Sequence, residues 1–328
     1  MAVDSDYLER ARRELWGREL FTFIPDRDLP SPAGTVDPGD GPAVAFAGFP
    51  SDYSLAFLLA LLEMDVRLCG IVTSPGAHPA ILGDNALSRI ADHLGVPLLR
   101  AWRINDDHSR MSLAAMGAGL VVMASFDQIV GARALAVPAH GWMNVHPSLL
   151  PRYRGPEPVY WAIADGAAET GITLHRAVPK FDTGPIMAQR SCPIQPDDTA
   201  GTLTKRLASV GVSLLPQAVD AMLEDAPGTL PDLSQGSYRR SVGHRQLETA
   251  QSAAEAERMV RAGVPNMLAW AMVDGRPAYV RSARTVPDGA DRHPVLRFAD
   301  GALELTATSP TCGCHHDVAD CQHREAAA

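Results

Sequence analysis

Lysine is almost missing from this chain: of 29 basic residues, only Lys180 and Lys205 are lysines. Basic charge as a whole is in deficit, with a net charge of -9 and a pI near 5.6. That excludes a protein whose main work is gripping nucleic acid or an anionic membrane, since both need a positive surface. Cysteines number five, an odd and small count that does not suggest a secreted disulfide framework. No run reaches the ~20 apolar residues of a membrane span. The uncharged stretch 111–126 is broken by Gly117 and Gly119 and reads as a helix end followed by a strand. The opening MAVDSDYLERARREL has no apolar centre and carries acidic residues, so neither a signal peptide nor a mitochondrial presequence is expected. A cytoplasmic protein with no membrane and no nucleic-acid partner follows as the expectation.

What is present is ordinary core material. Hydrophobic residues make up 46% of 328, enough to exclude wholesale disorder and to fill about two domains. Residues 5–19 read as a short helix, and the Pro/Gly/Asp-rich stretch after it as a linker, so 1–42 is expected to be an extension outside the core fold. From 43 onward, short apolar runs alternate with helical stretches: AVAFAGF (43–49), YSLAFLLALLEM (53–64), VRLCGIVT (66–73), a helix near 84–94, PLLR (97–100), LVVMASF (120–126) and WMNVH (142–146). Two further strands, 171–178 and 185–194, precede a long helix over 200–224. This alternation predicts an α/β domain over 43–226 built on a parallel sheet. From 227 to 309 the alternation stops. A short helix and four short strands predict a smaller β-rich domain, of the kind that closes into a barrel.

The informative stretch is 144–184, NVHPSLLPRYRGPEPVYWAI followed by TGITLHRAVPKFDTGPIM. In a strand, residues i and i+2 share a face, so Asn144 and His146 point into one place. Pro147 then ends the strand, at the edge where α/β folds put their active sites. Asp182 follows 38 residues after Asn144. An amide donor, an imidazole and a carboxylate suit acyl transfer: donors for an oxyanion, and an acid–base pair to move a proton. No protein nucleophile is needed, because an amine can attack directly.

The run Asn144-x-His146-Pro-Ser-Leu-Leu-Pro-x-Tyr-x-Gly155, with Asp182-Thr-Gly184 downstream, resembles the folate-dependent formyltransferase family, over about 43–225. SYRR (237–240), AERMVRA (256–262) and MVDGRPAYVRSAR (272–284) extend the likeness, more loosely, into the tail domain. The resemblance implies a Rossmann-like catalytic domain and 10-formyltetrahydrofolate as the one-carbon donor. It also implies Asn144, His146 and Asp182 as the catalytic set, with Asp182 keeping His146 charged. Ser148, Leu149, Leu150 and Pro151 match the family's folate-site signature, and Phe126, Asp127, Ile129, Lys180 and Phe181 fall on the same donor site. Phe126-Asp127 stands where the family usually has a Tyr-Gly pair.

Arg152 and Arg154, beside Tyr153, offer forked donors for a substrate anion, and His175 is a candidate wall of the substrate pocket. Gly48-Phe-Pro-Ser-Asp reads as a turn with Ser51 or Asp52 capping the next helix. Cys69 and Cys192 read as buried small hydrophobes. The tail 310–328 gathers Cys312, Cys314, His315, His316, Cys321 and His323, a ligand set that suits a structural zinc.

The expected acceptor is the amine of a small metabolite, such as an amino acid, a siderophore or antibiotic precursor, or an amino sugar. The rivals are a methionyl-tRNA formyltransferase, a formyltetrahydrofolate hydrolase and a non-catalytic folate- or metal-binding protein. Charge argues against the first, since 74–87 holds no Lys or Arg where the tRNA enzyme has a basic insertion. From 228 onward, 11 Arg meet 12 Asp and Glu. The hydrolases usually carry an N-terminal regulatory domain, for which 42 residues are too few. All three catalytic residue types are present, which argues against a non-catalytic protein.

Overall fold

The computed structural model describes residues 5–22, 40–75, 85–287 and 294–311. Seven strands form one sheet: β1 (Ala43–Gly48), β2 (Arg67–Thr73), β3 (Leu98–Arg100), β4 (Leu120–Ala124), β5 (Trp142–His146), β6 (Glu169–Arg176) and β7 (Ile186–Pro193). Their order is β3-β2-β1-β4-β5-β6-β7. Strands β1 to β5 pair in parallel. The connections therefore run outward from β1 in one direction and from β4 in the other. The place where the order reverses, beyond the carboxyl ends of β1 and β4, is where this class of sheet opens a crevice.

Among the described residues the α-helices are α1 (Ser5–Gly17), α2 (Asp52–Leu61), α3 (Ala86–Leu94), α4 (Asp107–Ala115), α5 (Ala132–Leu135), α6 (Pro158–Ala164), α7 (Ala200–Leu223) and α8 (Ala253–Gly263). Both faces of the sheet are covered, as the near-continuous apolar strands require. On one face Ala45, Ala47, Val121, Met123 and Trp142 belong to a single buried cluster. Phe46, between two of them, points the other way and is also fully buried, as are Phe57 and Leu58 of α2. Ser51 caps α2, its Oγ accepting from Ser54 N at 3.2 Å. Cys69 and Cys192 are buried, and Cys192 Sγ accepts from Arg206 Nε at 3.4 Å.

Three expectations are corrected. The chain divides into two units, and the first, Met1–Arg154 with Gly171–Cys192 and Thr204–Tyr238, includes the amino-terminal helix. Tyr7, Leu8, Ala11 and Leu15 recur at helical spacing on α1 and are all buried, so 5–22 is part of this core and not an extension outside it. Beyond α1, Arg18 forms a buried ion pair with Asp52, whose second oxygen accepts from Thr22 N at 2.8 Å. Secondly, β6 does not continue the parallel pattern, because it runs antiparallel to β5.

Thirdly, the second unit is not simply 227–309. It takes Gly155–Thr170 and Pro193–Leu203 together with Arg239–Ala328. Within it, β8 (Trp270–Val273), β9 (Arg276–Val286), β10 (Val295–Phe298) and β11 (Gly301–Ser309) form an antiparallel sheet in the order β10-β11-β9-β8. The described strands make an open sheet rather than a barrel. Ala256, Met259 and Val260 of α8 pack on Ala271, Val280, Leu303 and Leu305, and Arg258 Nε donates to Ala164 O of α6 at 3.1 Å.

No helix among the described residues is long and apolar enough to cross a membrane. Arg18→Met tests whether the amino-terminal segment belongs to the core. It removes the cation from a buried carboxylate, which costs on the order of 3–5 kcal/mol. Urea unfolding of the two proteins measures it, and a difference under about 1 kcal/mol would return 5–22 to the status of an appendage.

Candidate active site

The antiparallel pairing of β5 with β6 sets Asn144 opposite His175 and His146 opposite Thr173. Directly opposed residues share a face, so these four side chains stand together. Asp182 reaches them from the turn after β6. Its backbone sits at φ 49°, a left-handed conformation rare for a residue with a side chain. Gly184 makes that turn possible, because a Cβ there would lie 1.8 Å from Arg176 O.

Distances inside the cluster are short. Asn144 Nδ2 lies 3.3 Å from both Asp182 Oδ1 and His175 Nε2. His175 Nε2 is 3.5 Å from Asp182 Oδ1, and His146 Nδ1 is 3.8 Å from it. The other nitrogen of each imidazole faces a backbone carbonyl: His146 Nε2 at 3.0 Å from Tyr153 O, His175 Nδ1 at 3.2 Å from Arg176 O. A carbonyl can only accept, so those nitrogens carry the hydrogens. His146 Nδ1 and His175 Nε2 are left as the basic atoms, both turned toward Asp182 and Asn144.

His146, His175 and Asp182 are all buried, at 5%, 1% and 8% exposure. Burial holds the His146 pKa below its ordinary value of 6.5. The Asp182 charge and the Tyr153 carbonyl pull the other way and are outweighed, while His175 adds a little to the lowering. Burial therefore favours the neutral imidazole at rest, where the resemblance implies a charged one.

The signature loop after β5 is pinned by hydrogen bonds. Thr173 Oγ1 donates to Ser148 O at 2.6 Å and accepts from Leu150 N at 3.2 Å and Gln189 Nε2 at 2.7 Å. Ser148 is fully buried and its Oγ donates to Arg152 O at 2.7 Å. Leu150 is buried and its carbonyl accepts from Gln189 Nε2, while Leu149 and Pro151 are half-buried.

At the end of β4, Asp127 accepts a hydrogen bond from Ser74, and Phe126 lies 6.3 Å from the Trp142 ring. Ile129 is exposed, its carbonyl held by Asn105 Nδ2 at 2.7 Å. Lys180 and Phe181 are exposed on the Asp182 turn. Arg152 is exposed, whereas Arg154 is half-buried and its Nε has no hydrogen-bond partner among the described residues.

The structure thus gathers Asn144, His146, Asp182 and His175 directly, with the last a full member of the cluster rather than a pocket wall. Thr173 and Gln189 were missed by the sequence reading. Thr173 could have been found, since it lies two residues before His175 on the same strand. Gln189 carries no local signal. Cys312, Cys314, His315, His316, Cys321 and His323 lie outside the described residues, and among the described residues no group of three or more His, Cys, Asp or Glu side chains is arranged to hold a metal ion.

Comparison with known proteins places the chain in a family. The chain is 35% identical over 278 residues to the methionyl-tRNA formyltransferase of Roseiflexus sp. (strain RS-1), covering 80% of this chain and 84% of the relative. The chain belongs to the folate-dependent formyltransferase family. The family model described as formyl transferase matches residues 81–219 of this formyltransferase. In fold it is similar to a sugar N-formyltransferase from a Shewanella species, with a TM-score of 0.58 and 20% identity over 73% of this chain and 96% of the other. A second neighbour in fold is HypX of Aquifex aeolicus in complex with tetrahydrofolic acid. Its TM-score is 0.58 at 15% identity, covering 81% of this chain and 43% of that one.

The lowered His146 pKa has a sign that stability measurements read. The unfolded chain takes up a proton near pH 6.5 that the folded formyltransferase refuses, so the contribution is complete above pH 6.5 and is lost as pH falls below it. Between pH 6.5 and 5, unfolding free energy should drop more steeply in the native protein than in His146→Gln, by up to ~1.4 kcal/mol per pH unit. Equal slopes in denaturant titrations would show that His146 is not held neutral.

Proposed function

We propose that this formyltransferase moves the formyl group of 10-formyltetrahydrofolate to the amine of a small metabolite. The observation that supports the chemistry is the cluster of half-buried Asn144 with buried His146 and Asp182, with an imidazole that burial favours as neutral facing a carboxylate. The residues fit such a donor. Amide hydrogens and a base converge on one point, and Phe126, Ile129, Leu149 and Leu150 supply apolar surface on the two loops beside it. When bound, the folate supplies an activated formyl carbon.

Asn144 Nδ2 donates to the oxygen that gains negative charge as the amine adds, replacing one of its two long contacts in the resting site. His146 takes the amine's proton at Nδ1. Asp182 stabilises the imidazolium that results, and this transient charge is what the carboxylate is placed to hold. His146 then returns the proton from Nδ1 to the departing nitrogen, which leaves the imidazole neutral again.

Charge supports a small acceptor. The chain is net -9, and 74–87 carries no Lys or Arg. The half-buried Arg154, with its unpartnered Nε, offers one local positive group for an anion on the substrate. One observation favours a second reading, methionyl-tRNA as acceptor: it is the name carried by a relative matching 80% of this chain. A gel shift with initiator methionyl-tRNA at physiological salt separates the two. The small-metabolite reading expects no complex, and a tight, salt-sensitive one would replace it.

Asn144→Ala, His146→Ala and Asp182→Ala should each lower formyl transfer by at least about 10²–10³ while the proteins remain folded. Their combined loss should fall well short of the product, since they act as a unit. Near-normal turnover in any single variant removes that residue from the mechanism.

A further inference from the structure

The loop that carries the Tyr153 carbonyl is fastened by a segment 84 residues away in sequence. Ser237 makes three hydrogen bonds to it. Its Oγ accepts from Tyr153 N at 2.9 Å, its N donates to Pro151 O at 3.1 Å, and its carbonyl accepts from Arg154 N at 2.9 Å. Gly236 lets the segment come this close, because a Cβ there would meet Pro151 O at 2.7 Å. The next residue, Tyr238, places its ring 6.4 Å from Phe181, the neighbour of Asp182. One short segment therefore touches both loops that bear on His146.

Tyr153 needs such fastening. It holds φ 54°, a left-handed conformation that a residue with a side chain adopts only when its surroundings impose it. In that conformation its carbonyl lies 3.0 Å from His146 Nε2. This contact decides which imidazole nitrogen bears hydrogen, and so decides that the basic atom is Nδ1, the one facing Asp182.

We infer that Ser237 is a positioning residue for His146: its hydroxyl holds the Tyr153 peptide that fixes the imidazole's tautomer and orientation. The catalytic consequence rests on the function proposed above; the tautomer does not. Ser237 touches no reacting atom in this scheme and acts only through Tyr153.

The test uses the full chain labelled with 15N-histidine. Long-range 1H–15N spectra report the tautomer, and the His146 signal is the one missing in His146→Gln. The native protein should show hydrogen on Nε2 and a bare Nδ1 at pH 7. Ser237→Ala should show a mixture of tautomers and a displaced His146 titration. Ser237→Thr, which keeps the hydroxyl, should restore the native spectrum. In turnover, Ser237→Ala should lower kcat between about 10- and 100-fold with little change in KM, as for loss of an orienting contact, and Ser237→Thr should recover it.

Should Ser237→Ala fail to fold, Ser237→Cys, with a weaker sulfur acceptor, is measured in its place and should show the same mixture. An unchanged tautomer and titration in the folded variant would overturn the inference, whatever happens to kcat. Inactivity of the native protein toward the formyl donor would instead count against the proposed function, and the spectra would still decide the role of Ser237.

Discussion

The active-site cluster depends on one constraint, the antiparallel register of β5 against β6. A parallel neighbour, as elsewhere in this sheet, would not set Asn144 opposite His175 and His146 opposite Thr173. With this register, side chains 31 and 27 positions apart in the chain become cross-strand pairs on one face. Thr173 then turns strand pairing into loop geometry, because its hydroxyl bonds both Ser148 O and Leu150 N. The loop that supplies the Tyr153 carbonyl is therefore tied to the strand that carries His175 and leads to Asp182. A slip of β6 by one residue would turn Thr173 and His175 to the other face of the sheet, away from Asn144 and His146.

Burial and charge compete at His146, and the outcome shapes the chemistry. A carboxylate 3.8 Å from an imidazole would, in water, favour the imidazolium. Here the loss of solvent around a buried ring is the larger effect, so the base rests unprotonated. The same low-dielectric surroundings strengthen the attraction to Asp182 once a proton arrives. A site that is neutral at rest and stabilises a cation briefly is suited to accept a proton from an amine and pass it on.

Much of this was legible in the sequence, and the remainder was hidden for physical reasons. WMNVH reads as a strand from composition, and period two puts Asn144 and His146 on one face without reference to any structure. The direction of β6 was not legible, because an apolar run looks the same whichever way it pairs. The helix α1 carried its signal in Tyr7, Leu8, Ala11 and Leu15, but the Pro/Gly-rich residues after it suggested an appendage. The Arg18–Asp52 pair that ties this region down is a contact across 34 positions, with no local pattern. His175 looked like a packed strand histidine, and only the register made it a neighbour of Asn144. Gln189 and Ser237 act through long-range hydrogen bonds, which periodicity does not encode.

Backbone strain follows the same geography. Among the described residues, five with side chains have positive φ; of these Ser125 follows β4, Tyr153 lies in the loop after β5 and Asp182 in the turn after β6. Each such conformation costs on the order of 1–3 kcal/mol and persists only where its surroundings over-determine it. At Tyr153 the restraint is the Ser237 segment. At Asp182 it is the close approach of Gly184 to Arg176, with Arg176 N donating to Pro185 O at 2.9 Å. Relaxation of either loop would swing a carbonyl or a carboxylate away from His146, so the restraints that oppose strain also hold the proton path. A sheet can place its residues only to the precision of its register. The strained loops supply the final placement, and they can do so because the hydrogen bonds that hold them come from parts of the chain remote from the signature itself.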